Sequence, residues 1–186
     1  VVEGETEKAY FDQFKGKNIR LDVFTAKGPD PDSLIVAAEL KLGKMKREGE
    51  LRAKRDQAWI VFDRDNSTTE QIELVFTWAN SRTDRGIGFS SPQFEYWLLL
   101  HCEEGAGVAT QHGLLQRFQK NRPYYAKGDP RQVSFTREEM DNAVERAARK
   151  VPQVPATLKE LEDRYGAATT LTTVHGLVKE LLKNTR

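Results

Sequence analysis

The stretch AWIVFDRDNS, residues 58–67, decides how this chain is read. Five apolar residues run straight into Asp63 and, one residue on, Asp65. An unbroken apolar run of this length suits a strand buried on both faces, as in the middle of a parallel sheet. Two carboxylates so close together repel each other. A divalent cation explains why they coexist. So does a plainer alternative, a turn or helix cap, which Asp65 can supply for the helix that follows.

Reading outward, residues 1–3 look like the tail of a first strand, entered part-way and ended by Glu3. Gly4 allows a turn into a helix over 6–14, with Tyr10, Phe11 and Phe14 inward and Gly16 as its stop. Ile19, Leu21 and Val23 alternate with Arg20 and Asp22, which predicts a half-buried strand. A helix beginning near Asp32 or Ser33 takes its apolar stripe from Leu34, Ile35, Ala38, Leu42 and Met45. After the aspartates, Ser67 and Glu70 spell a capping box for a helix carrying Ile72, Val75, Phe76 and Ala79. GIGFSS, residues 86–91, is a short strand. Ser91 then caps a helix with Pro92 at its first position and Phe94, Trp97, Leu98 and His101 on one face.

Strand–helix alternation predicts an α/β core over residues 1–104, a mostly parallel sheet flanked by helices. Residues 105–186 read as a helical extension packing on or beside that core. A Gly-rich loop (102–113) and a basic, aromatic loop (119–132) open it. A Thr136–Glu139 capping box leads into Met140, Ala143, Val144 and Ala147. A short helix with Leu158, Leu161 and Tyr165 follows. The last stripe is Val174, Leu177, Val178, Leu181 and Leu182.

Composition narrows the function classes. The 186 residues are 38% hydrophobic and 31% charged, as in a folded soluble domain. A net charge of +1 means that any electrostatic partner must be met by a local patch. Cys102 is the only cysteine, which excludes an internal disulfide and a Cys-rich zinc site and fits a cytoplasmic protein. No apolar run spans a bilayer and no signal peptide opens the chain, so no membrane role is expected.

Ligands of open α/β sheets bind beyond the carboxyl ends of the strands. If the sheet is parallel, Glu3, Asp63, Asp65 and Glu95 line one edge. Such carboxylates suit Mg²⁺ or Mn²⁺, which can activate water and stabilise charge on a phosphoryl group. Taken singly, Glu3 and Glu95 carry little signal: one Glu before a Gly, as at Glu3, is common, and a Glu in a first helical turn, as at Glu95, merely favours the dipole. Glu7 reads as a solvated or supporting residue. His101 and His175 read as core histidines rather than ligands, and His112 carries no assignment. Between residues 41 and 55, seven cations (Lys41, Lys44, Lys46, Arg47, Arg52, Lys54 and Arg55) face Glu48 and Glu50, a net of +5. This is either a phosphate-backbone contact or a solvated helix end. Arg122 and Lys127, beside two tyrosines, suit phosphate contact and stacking on a single strand, or an ordinary packed loop.

Taken in order, VEGETE (2–7), VFDRD (61–65), SSPQFEYWLLLH (90–101) and the closing TTVHGLVKEL (172–181) resemble the RloB-like proteins, a branch of the Toprim superfamily. The resemblance implies a Toprim-like α/β sheet in which Glu3 moves protons and Asp63 and Asp65 hold Mg²⁺ or Mn²⁺, with Glu7 as a further ligand. Glu95, from its place at the same edge, is a candidate further ligand or orienting group. It implies an endonuclease acting on RNA, including tRNA, or on DNA, as an effector of phage defence, beside a partner ATPase or as a homo-oligomer. Two alternatives stand. One is a non-catalytic subunit that binds an ATPase through its C-terminal helices. The other is a phosphatase, since VFDRDNS is similar to the haloacid-dehalogenase signature with Asp63 as nucleophile and Asp65 as acid.

Overall fold

A computed structural model describes residues 1–186 except 17, 18, 29, 53, 54, 66, 109, 128, 185 and 186. Its strands are β1 (Ala58–Asp63), β2 (Arg85–Ser91) and β3 (Leu171–Thr172). The helices are α1 (Glu5–Asp12), α2 (Pro31–Arg47), α3 (Thr69–Asn80), α4 (Glu95–Cys102), α5 (Gln111–Asn121), α6 (Arg137–Lys150), α7 (Leu158–Tyr165) and α8 (His175–Lys183).

β1 is the expected apolar strand, but it ends the three-stranded ladder: β2 is in the middle, and on its other side β1 has, among the described residues, only the single bridge from Val2. It pairs in parallel with β2, Ala58 opposite Arg85 through Asp63 opposite Ser90. Its side chains alternate between two buried faces. Ile60 and Phe62, with Ile87 and Phe89, meet α2, α3 and α7. Val61 and Trp59 turn to the layer that holds α1, α4, α5, α6 and α8. Both faces are therefore covered, which is why the strand is apolar throughout. Trp59 lies opposite Gly86, where a Cβ would come within 2.6 Å of the indole, so β2 needs a glycine there.

The sheet is open and mixed rather than wholly parallel, because β3 pairs antiparallel with β2. Residues 1–3 do not form a full strand. Val2 makes single parallel bridges to Val61 on one side and Thr25 on the other. The predicted strand at 19–23 is absent too. Ile19, Leu21 and Val23 pack half-buried on the core, so their alternation reports one-sided packing without a ladder.

Three further expectations shift. The capping box is Thr68–Gln71, one residue past Ser67–Glu70. Ser91 does not cap a helix. It ends β2 opposite Leu171, and α4 begins at Glu95. The loop expected to reach residue 113 ends earlier, where Thr110 caps α5 by accepting the Gly113 N–H, so His112 is helical. The capping boxes are separable by experiment. Thr68→Ala should cost about 1 kcal/mol in urea unfolding and Ser67→Ala much less; equal costs would return the cap to Ser67.

The last helix is as expected: Leu177, Val178, Leu181 and Leu182 are buried. That leaves its apolar face filled by the fold rather than presented to a partner. His101 is a core histidine, with Nδ1 3.0 Å from the Trp97 carbonyl and Nε2 3.1 Å from the Tyr10 hydroxyl. Among the described residues, no helix is long and apolar enough to cross a membrane.

Candidate functional site

Parallel alignment brings the acidic residues together. Val1 and Val2 lie between residues 24–25 and β1, with Val61 N–H donating to the Val1 carbonyl (2.9 Å) and Val2 N–H to that of Phe24 (3.0 Å). Glu3 thereby arrives beside the end of β1, where its Oε2 accepts the Asp63 N–H at 2.9 Å. Glu7 lies in the first turn of α1. A Cβ at Gly4 would stand 3.0 Å from Glu7 Oε2, so the absent side chain leaves that carboxylate room. Glu95 opens α4, which follows directly from β2.

Asp63, Glu7 and Glu95 are buried, Glu3 and Asp65 half-buried. Asp63 Oδ1 and Glu95 Oε2 are shut from solvent without a hydrogen-bond partner. Such orphaned acceptors are costly unless something else engages them.

The charges act on one another. Burial first, then the fields of Glu7, Glu3 and Glu95, push the Asp63 carboxyl well above its ordinary range, against a hydrogen bond from the Phe94 backbone. Burial, then Glu3 and Glu95, lift Glu7 to about 7. Burial and Asp65 raise Glu3 despite its bond from Asp63 N–H. Lys127 answers them. Partial desolvation pulls its ammonium down, but Glu95, Asp63, Glu7 and Asp65 together hold it above its usual value.

Lys127 is thus the cation from the sequence reading whose charge acts on the cluster. Arg122 stands farther along the same segment, paired with Glu139 (3.0 Å) and set over the Phe135 ring (4.9 Å). Lys44, Lys46, Arg47, Arg52 and Arg55 lie elsewhere. Lys44, Lys46 and Arg47 are in the last turn of α2, and Arg52 and Arg55 lie between α2 and β1, so all five precede the amino end of β1, which is about 16 Å from Asp63 along the six-residue strand. Lys54 falls outside the described residues. Arg52 is held by Asp56 at 2.9 Å. A cavity of about 720 Å³ opens at that same end, lined by Arg20, Leu42, Arg55, Trp59 and Leu181 among others. None of the five acids lines it; the titratable groups with raised proton affinity converge at the carboxyl edge instead.

A family model described as RloB-like protein matches residues 1–181. The chain belongs to the RloB-like protein family. No curated protein and no solved structure matches it.

Among the described residues of this RloB-like protein, no three acidic, histidine or cysteine side chains form a finished metal cage. The donor set nevertheless fits a hard divalent cation in its chemistry: all-oxygen ligands, mutually repelling, two with orphaned buried atoms.

Tyr125 was not foreseen at the site. Its buried ring packs edge-on against Phe118 (4.8 Å), and its hydroxyl donates to Glu95 Oε1 at 2.7 Å. Thirty residues separate the two, and no spacing rule links them. Tyr125 fixes one oxygen of Glu95 and leaves the other facing the cluster. Tyr125→Phe should therefore weaken Mn²⁺ binding about tenfold. In a double-mutant cycle with Glu95→Gln, calorimetry should find the two losses less than additive; full additivity would mean that Tyr125 does not act through Glu95.

Proposed function

We propose that this RloB-like protein is a Mg²⁺- or Mn²⁺-dependent endonuclease of the Toprim type, cutting RNA, including tRNA, or DNA as an effector of phage defence. The observation that carries this reading is the cluster of Glu3, Glu7, Asp63, Asp65 and Glu95 at the carboxyl edge, with two buried unpaired oxygens and Lys127 beside it. Asp63 and Asp65 would hold the cation with Glu3, and Glu7 and Glu95 would complete its surroundings. The ion's contribution is Lewis acidity, which lowers the pKa of water and neutralises charge building on a phosphoryl group.

The chain's own groups do the rest. Glu3 is held by the Asp63 N–H and has a raised affinity for protons, which suits a general acid or base. Lys127 is placed to meet a phosphate oxygen and offset the carboxylates, a point-charge role that lysine fills well. Arg64 turns away from the two aspartates to Glu162 of α7 (2.5 Å), which anchors the turn between them.

The test is incubation of end-labelled tRNA, single-stranded RNA and DNA with the wild type and with Asp63→Asn, in Mg²⁺, Mn²⁺ or EDTA. Cleavage that needs the metal and is lost in the variant is expected. Equal cleavage by both proteins would remove Asp63 from the mechanism. Metal binding without cleavage of any nucleic acid would turn the reading toward a non-catalytic subunit.

A further inference from the structure

Four large apolar side chains stand exposed among the described residues, and three share one surface: Val36 (57% exposed) and Leu40 (68%) on α2, and Leu74 (48%) on α3. The helices run side by side in one direction. Gln71 Nε2 lies 3.5 Å from Asp32 Oδ2, and Trp78 Nε1 donates to Glu39 Oε1 at 2.6 Å, a constant offset of 39 residues. That offset sets Leu74 level with Ile35 and Val36. Underneath, Leu34 and Ala38 are buried on the sheet, so α2 cannot roll to hide the outer residues.

The outer face of α2 has a particular order. Asp32, Val36, Leu40 and Lys44 recur every fourth residue and are all exposed, forming one ridge along the helix. The ridge reads acid, apolar, apolar, base. Turned end for end it reads base, apolar, apolar, acid, its own complement. Neither charge is strongly engaged within the chain. Lys44 stands 3.9 Å from Glu48, a surface pair of small worth. Asp32 is not the helix cap, since Asp30 fills that role.

We propose that the chain forms a two-fold homodimer through this face, independently of what the carboxylate site does. Two copies of α2 pack antiparallel. Val36 of each meets Leu40 of the other, Asp32 of each meets Lys44 of the other, and Leu74 closes the apolar centre from α3. A two-fold interface must be self-complementary, and this ridge satisfies that in both shape and charge. The charged ends set the antiparallel direction, since a parallel pairing would place Asp32 against Asp32 and Lys44 against Lys44.

Sedimentation velocity from about 1 µM to a few hundred µM tests it. A reversible monomer–dimer equilibrium is expected, with Leu40→Glu weakening it at least about tenfold. Asp32→Lys and Lys44→Asp should each weaken the dimer, and the double exchange Asp32→Lys with Lys44→Asp should restore it. All these positions are exposed, and circular dichroism melts will verify that the variants fold. A monomer at every concentration would overturn the proposal and leave the face to another macromolecule or to solvent. A dimer indifferent to Leu40→Glu, or a double exchange no better than the singles, would overturn it equally.

Discussion

Asp63→Asn should melt higher than the wild type in EDTA while losing at least about a hundredfold in Mn²⁺ affinity. The two effects share one cause. Asp63 is buried among Glu3, Glu7 and Glu95 with one oxygen unpaired, an arrangement that favours a cation and is unfavourable without one. The amide keeps an oxygen for the Phe94 N–H, removes a charge, and gives the neighbouring carboxylates a donor. A gain of roughly 1–2 kcal/mol is expected, or about 3–6 °C for a chain of this size. If Asp63 were only a turn or capping residue, the same change would cost about 1 kcal/mol instead. The sign of the shift in chelator therefore separates the two roles before any substrate is known. A lower melting temperature together with unchanged Mn²⁺ binding would end the metal-site reading.

A second large effect is expected from His101 under acid. A carbonyl only accepts, so Nδ1 carries the proton to Trp97, and Nε2 accepts from the Tyr10 hydroxyl. Phe135 stacks on the ring at 3.9 Å. Burial foremost, with Arg122 and Arg146 adding to it, lowers the imidazole from 6.5 to about 3. At pH 7 both folded and unfolded chains hold it neutral. Below 6.5 the unfolded chain takes up a proton that the native one refuses, so stability falls by about 1.4 kcal/mol per pH unit until about pH 3. Glu7 acts the other way in chelator. Its raised folded value stabilises the protein fully below 4.5, and that contribution disappears as pH rises through 7. Wild-type stability alone mixes the two, whereas the difference from His101→Gln isolates the histidine. The wild type should lead at pH 7, and the lead should shrink by roughly 2–3 kcal/mol by pH 4.5. A constant difference in urea melts across that window would mean that His101 charges freely in the folded protein.

The sequence disclosed the site better than it disclosed the sheet. β1 was legible because an unbroken apolar run ending in acids has few other uses, and Glu3 and Glu95 follow from where a parallel strand and a helix start must fall; Glu7, read from the residues as solvated or supporting, is instead buried. β3 was hidden because two residues have no periodicity, and α5 because glycines lead into it. The Ser67-Thr68-Thr69-Glu70-Gln71 run contains two overlapping capping boxes, and only the path of the chain selects the second. The basic segment misled for a topological reason: closeness in sequence to Asp63 does not tell which end of the strand a crossover delivers. Lys127 was singled out for its charge. Its electrostatic coupling to the carboxylates, and the contact of Tyr125 with Glu95, depend on tertiary packing around α5, which no local pattern encodes.

The order in which these groups appear along the chain bears on how the protein is made. The five acids come first, and the residues that tether and neutralise them arrive only with the segment after α5. A nascent chain still short of residue 125 has its carboxylates but neither the phenol that holds Glu95 nor the ammonium that offsets their charge. Completion of the acidic cluster thus waits until residues 125 and 127 have been made.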